Sequence, residues 1–190
     1  MKETKTIQSE TFLNSRDKLL AVAFEEIYRN GYHATSIDKI LKKANMNKGS
    51  MYFYFKSKKD LILTVINENL STYIENKYSI LLKYEQNICD EMIKLINARD
   101  NFDFVCGCKL NNLMQELSPK DNDFKIALEK VYLKFESIIE KVLINAISNK
   151  EIYHKNIHSL AMYIVASIEG CLCTAKKSQD SKVFTTCISQ

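Results

Sequence analysis

Four glycines and one proline in 190 residues leave this chain few places to break a helix. In a helix interior, glycine costs about 1 kcal/mol relative to alanine and proline about 3. A chain that avoids both is built for long, uninterrupted helices. With 46% hydrophobic and 26% charged residues it also has enough apolar side chains for a sizeable core. The expectation is an all-α protein.

Helical spacing of apolar residues divides the chain. Residues 1–13 read as a mobile arm. From Ser15, Leu19, Leu20, Ala23, Phe24 and Ile27 recur on one face until Gly31 ends the run. Thr35, Ser36, Ile37 and Asp38 form a capping box, with Thr35 as cap and Asp38 answering it. That box opens a second helix over 36–44, with Ile37, Ile40, Leu41 and Ala44 buried. Asn45 suits the left-handed turn that closes it. Asn47 caps a short third helix over 47–53, and Ser57 caps a fourth whose apolar positions continue to Leu81. Further helices are expected over about 86–99, 109–117, 119–148 and 156–176, with a short one from about 181. The pair Ser118-Pro119 marks the start of the long one. Head (1–60) and body (61–190) then join through the fourth helix.

Charge is unevenly shared between these parts. Residues 1–60 carry 12 Lys/Arg against 7 Asp/Glu, whereas 61–190 carry 15 against 16. Between Lys39 and Lys59 lie seven lysines and no acid, counting both ends. A basic head on a neutral body implies an anionic partner for the head alone.

The chain shows no apolar signal segment near its start, and the charge-free stretch 156–168 is too short and too polar to span a bilayer. A cytoplasmic protein is expected, its six cysteines (Cys89, Cys106, Cys108, Cys171, Cys173 and Cys187) free thiols. No catalytic pattern appears, so no enzyme and no cofactor are expected. His154 and His158 lie four apart, but Lys155 stands where a zinc-hydrolase motif requires glutamate, so no metal is expected either.

Two helices over 36–44 and 47–53, separated by a tight turn and braced by the helix before them, form a helix-turn-helix. In that arrangement the second helix presents its N-terminal residues to the DNA major groove. Here these are Asn47, Lys48, Gly49 and Ser50: amide, ammonium, no side chain, and hydroxyl. The runs GYHATSI (31–37) and ANMNKGSMYFYFKSK (44–58) resemble the DNA-binding head of the TetR family of bacterial regulators. That family typically shows G-Y-x-x-T-(S/T), then A-G-V-S-K-G-T-(L/I)-Y-x-(H/Y)-F-x-(S/N)-K. Asn45 replaces the turn glycine and Asn47 the capping serine; Tyr54 stands at the frequent histidine.

The resemblance implies that Lys48, Gly49 and Ser50 face base edges beside Asn47. It further implies that Tyr52, Tyr54 and Lys58 clamp phosphates, that Thr35 and Ser36 touch the backbone, and that Met51 and Phe55 pack inward. It also implies a dimer formed through the last two helices, with Ala161, Ala166, Ser167 and Gly170 allowing close approach; ordinary packing within the chain is the alternative for that face. The body is then a helical bundle around an effector pocket, for which Phe102, Phe104, Met114, Phe135 and Tyr163 are candidates. The expected function is a repressor bound as a homodimer to a double-stranded operator and released by a small molecule. Two alternatives are the same fold acting as a cysteine redox sensor, and a sequence-indifferent DNA binder driven by lysines.

Overall fold

The computed structural model describes residues 14–189, all of whose regular elements are helical. The arm expected over 1–13 lies outside the described residues. Helix α1 (Ser15–Asn30) is capped by Asn14, whose side chain accepts from the Asp17 amide at 2.9 Å. It ends at Gly31, where φ is 79°. Helices α2 (Ile37–Ala44) and α3 (Lys48–Tyr54) follow, then α4 (Lys58–Val65), capped by Ser57 as expected. The chain stays helical through a π-turn at Ile66–Leu70, α5 (Ser71–Tyr78) and a 3-10 segment at Ser79–Lys83. The remaining elements are α6 (Ile88–Asn97), a 3-10 segment at Arg99–Asn101, α7 (Lys109–Leu117), α8 (Asn122–Ser148), α9 (Ile157–Lys176) and α10 (Ser181–Ile188).

Two starts differ from the sequence expectation by a few residues. Ser36, not Thr35, caps α2, accepting from the Lys39 amide at 3.2 Å. Asp121, not Ser118, caps α8, accepting from Asp123 and Phe124. In each case two capping side chains compete within one turn, and the packed position decides. Asn45 does close α2 in the left-handed region, at φ 54° and ψ 50°. Replacing it by alanine should cost about 1 kcal/mol, because a Cβ disfavours this conformation and alanine lacks asparagine's local hydrogen bonds. Asn45→Gly should be neutral or stabilising; urea denaturation midpoints of the two variants check this.

The larger of two apolar clusters runs from Leu19 in α1 to Phe184 in α10, and the smaller joins Leu81, Ile88, Val142 and Ala146. At about 1.5 Å per residue α8 is roughly 40 Å long, and it packs against α5, α7 and α9. α9 is long and apolar enough to cross a membrane by length and composition. Its inner face, with Ala161, Val165, Ile168 and Leu172, instead joins the core. Ala161 is therefore fully buried within the chain, while Met162, Ala166, Gly170 and Cys173 lie open on the outer face.

The expectation of six free thiols is corrected. Cys171 and Cys187 are disulfide-bonded, with Cα atoms 5.5 Å apart, and tie α9 to α10. Their separation of 16 residues becomes proximity only once the two helices fold back on each other. Cys89, Cys106, Cys108 and Cys173 are free.

The head is bolted to the body at several points. The Glu116 carboxylate, on the last turn of α7, accepts from the Tyr32 and His33 amides at 2.9 Å each. Lys59 pairs with Asp121 and Asp123 at the start of α8, both at 2.7 Å. The Tyr28 hydroxyl donates to the Gly107 carbonyl, and Arg16 makes two bonds to Glu68 in the π-turn.

Candidate nucleic-acid interface and body cavity

Helix α3 is held from beneath by Met51, fully buried, and by Phe55 just beyond its end. The Asn47 side chain accepts from the Ser50 amide at 2.8 Å and so opens the helix. With positions 51 and 55 turned inward, the rest of this short element faces out. Asn47, Lys48 and Gly49 are exposed and Ser50 is half-buried, its hydroxyl also resting on Asn47. Tyr52 and Tyr54 are exposed on the flank, as is Ser36 at the start of α2.

Two sequence expectations need revision here, and Lys58 is more constrained than expected. Thr35 is 1% exposed and its hydroxyl donates inward, to the Gly31 and Glu26 carbonyls, so it cannot touch DNA in this conformation. Asp38 does not return to the cap of α2; it pairs with Lys48 at 2.9 Å. The pair is fully exposed, and such pairs in water are readily exchanged for a phosphate or a base. Lys58 is half-buried: its ammonium donates to the Tyr32 carbonyl and sits 4.1 Å above the Tyr32 ring. A lysine has three donors, so those not used here remain for a phosphate.

Phe53 escaped the sequence reading, yet at 81% it is the most exposed aromatic of α3. The signal was present: with Met51 and Phe55 as anchors, position 53 must face away from the core. Its ring lies edge-on to Tyr54, 4.9 Å between centroids. An exposed ring on the second helix of a helix-turn-helix suits apolar contact with thymine methyl groups.

The lysine run is also less free than its count implied. Lys43 pairs with the buried Glu26, Lys48 with Asp38, and Lys59 with two aspartates. Lys39, Lys42 and Lys56 carry no side-chain partner among the described residues.

The body holds a cavity of about 330 Å³ bounded by α1, α5, the segment before α7, α7's first residue and Leu172 of α9. Of the five aromatic and sulfur candidates, only Phe102 lines it. Phe135 lies one layer behind, fully buried and stacked on the lining residue Tyr78. Phe104 packs on Phe184, and the Met114 sulfur receives the Ser118 hydroxyl. Tyr163 is 70% exposed on α9, bordering a different groove between α6 and α10. The residues missed were polar ones: Tyr28, Tyr73, Lys77 and Lys109.

Burial raises the thiol pKa of Cys106 and Cys108, and of Cys89, above the ordinary cysteine value. A redox sensor needs the opposite shift, so the thiol-sensing alternative finds no support at these three positions. His154 and His158 do not converge: one ring meets the Asn156 carbonyl, the other Glu140.

Comparison with known proteins agrees with this architecture. The family profile described as "Bacterial regulatory proteins, tetR family" matches residues 19–65, and "Transcriptional regulator LmrA/YxaF-like, C-terminal domain" matches residues 85–190. An uncharacterised HTH-type transcriptional regulator in the lacX 3' region of Lactococcus lactis is 29% identical over 181 residues, covering 90% of this chain and 88% of that one. The HTH-type transcriptional regulator QacR of Staphylococcus aureus is 33% identical over 144 residues, covering 75% and 68%. The reduced form of Escherichia coli NemR shares the fold, with a TM-score of 0.84 at 22% identity over 93% of this chain and 94% of that one. With one profile spanning more than half its length and the other falling on the helix-turn-helix, the chain belongs to the TetR family of transcriptional regulators, which join a DNA-binding head to a ligand-binding C-terminal domain.

Proposed function

We propose that this chain acts in the cytoplasm as a homodimeric repressor, gripping a pseudo-palindromic operator through α3 and releasing it when a small molecule fills the body cavity. The observation that carries the reading is the outward tip of α3. Asn47, Lys48, Gly49 and Ser50 stand clear of the core, flanked by Tyr52 and Tyr54, on a helix pinned by Met51 and Phe55. In this reading Lys48, Gly49 and Ser50 meet base edges, while Ser36, Tyr52, Tyr54 and Lys58 hold phosphates. Thr35 fixes the turn from inside. The division into a head of 1–60 and a body of 61–190 is part of the same proposal.

Two heads reading successive major grooves need half-sites about 34–36 Å apart or a multiple of that. The outer face of α9, open at Ala166 and Gly170 and bordered by Met162, offers a surface for the second copy. Coupling between cavity and head has a short physical route. Lys109, the first residue of α7, lines the cavity, and Glu116, near its end, holds the Tyr32 and His33 amides ahead of α2. A ligand that shifts α7 thereby shifts the turn entering the helix-turn-helix, provided it binds the two positions with different affinity.

Lys48→Ala should change which bases are preferred. Lys58→Ala should weaken binding to every sequence and lower the slope of log affinity against log salt by about one. Fluorescence anisotropy on operator and scrambled duplexes across a salt series separates the two, with a thermal melt of Lys58→Ala to account for its lost contact to Tyr32. Identical behaviour of the two variants would refute the division of roles.

A further inference from the structure

The body cavity contains a cation with no direct ion pair among the described residues. Lys77, half-buried on α5, donates to the Asn101 carbonyl and lies 3.8 Å over the Phe102 ring, with Tyr73 and Tyr78 within 6 Å. Among the described residues no carboxylate comes within ion-pair distance of it. Lys109 faces the same space, 3.4 Å over the Tyr28 ring, with a single long contact of 3.4 Å to Glu25. The two ammonium groups repel each other, and burial opposes the charge on both.

Two of the acids around the cavity are otherwise engaged. Asp103 accepts from the Val105 and Cys106 amides. Glu25 is shared between Arg29 and Lys109, and Asp100 stands exposed at the cavity's rim. Glu169, 6% exposed on α9, has one oxygen with no partner and meets Lys77 only at longer range. A buried charge lacking its partner is costly, and an anion entering this space would stabilise it.

Accepting the reading above, in which this cavity receives the effector, we propose that it takes a small organic anion: a monocarboxylate on a flat aromatic or apolar body. The carboxylate would sit between Lys77 and Lys109, with the ring against Tyr28, Tyr73 and Phe102. The volume suits a ligand of that size. Charge-assisted bonds to two ammonium groups give the selectivity.

The pH dependence follows from the groups around Lys77, among them Lys109, whose pKa burial also lowers. Glu169 from α9 is pushed up to about 7, and Lys77 itself down to about 8. The thiol of Cys108 and the phenols of Tyr73 and Tyr78 are raised and stay neutral in this range. Asp103 is held low and stays ionised. Raising the pH from 6 to 9 therefore first adds a negative charge at Glu169 and then removes the positive one at Lys77. Both changes weaken binding of an anion, and both would strengthen binding of a cation.

The test is a thermal-shift and calorimetric titration of the full chain with benzoate, 3-phenylpropionate, the matching amides and 3-phenylpropylamine. Expected is binding of at least one carboxylate, with its amide at least about tenfold weaker, since a lost charge pair removes 1.4 kcal/mol or more. Affinity should fall about tenfold or more between pH 6 and 9. Lys77→Met keeps the stem over Phe102 and should abolish the binding, while Lys77→Arg should restore it. If Lys77→Met fails to fold, the pH profile of the unaltered chain still decides. Preference for the amine, affinity that rises with pH, or equal carboxylate binding by Lys77→Met would overturn the proposal, as would the absence of binding by either carboxylate. An operator gel shift on the same preparations keeps the two readings apart. Protected operator without carboxylate binding removes this inference alone, whereas carboxylate binding with no operator complex removes the repressor reading and leaves the anion site standing.

Discussion

Replacing Gly49 by leucine is expected to abolish operator recognition while leaving the fold intact. Gly49 lies in the first turn of α3 and is not among the residues with positive φ. A Cβ built there meets only the Asn47 side-chain oxygen, at 3.2 Å, and otherwise open space. Leucine is the better helix former by up to about 1 kcal/mol, which offsets a small displacement of the Asn47 cap. The melting temperature should therefore stay within a few degrees of the parent. On DNA the effect is the reverse. A branched side chain between Lys48 and Ser50 holds the helix backbone off the base edges, so several contacts are lost together. Each well-made base contact is worth about 1–3 kcal/mol, so affinity should drop on the order of 100-fold or more. A gel shift paired with a thermal melt reads both sides, and a leucine variant that still binds operator would place recognition on another element.

The second large effect is expected at Gly31, this time on stability. Its φ of 79° and ψ of 165° lie in a region open only to glycine. Any other residue is strained there by about 1–3 kcal/mol. A Cβ would also stand 2.9 Å from the Glu116 carboxylate, the group that satisfies the Tyr32 and His33 amides. Pushing that carboxylate aside leaves two donors to find new partners. Gly31→Ala should lower stability by about 2–4 kcal/mol, or roughly 5–10 °C in melting temperature for a chain of this size. Glu116→Ala alone should also destabilise. The double variant should lose less than the sum, because the two share one contact. Additive losses would show that Glu116 does not hold this turn.

The head was legible in the sequence because its determinants are local. Asn47, Ser57 and Asn45 act within one helical turn, and Met51 and Phe55 are four apart, so side-chain chemistry and spacing suffice. Legibility failed where two local options competed, as between Thr35 and Ser36, or Ser118 and Asp121. It failed more fully where partners are distant in the chain. Nothing near Tyr32 announces Glu116, 84 positions away, and nothing in Cys171 announces Cys187. The cavity illustrates the same limit. Phe102, Phe104, Phe135 and Tyr163 look alike in sequence, but only packing decides that one lines a void, one fills the core, one lies half-buried against it and one faces solvent. Lysine counting misled for a related reason, since charge in the sequence includes charge already spent on Glu26, Asp38 and Asp121.

The central claim, that α3 reads a defined operator as one half of a dimer, is tested most directly by selecting binding sites from random duplex DNA and footprinting the winners. The selected sites should form a pseudo-palindrome whose half-sites are centred one helical turn, about 34–36 Å, or a multiple apart. Gly49→Leu should lose that protection. Recovery of no preferred sequence, with one steep salt dependence shared by all DNA, would contradict it.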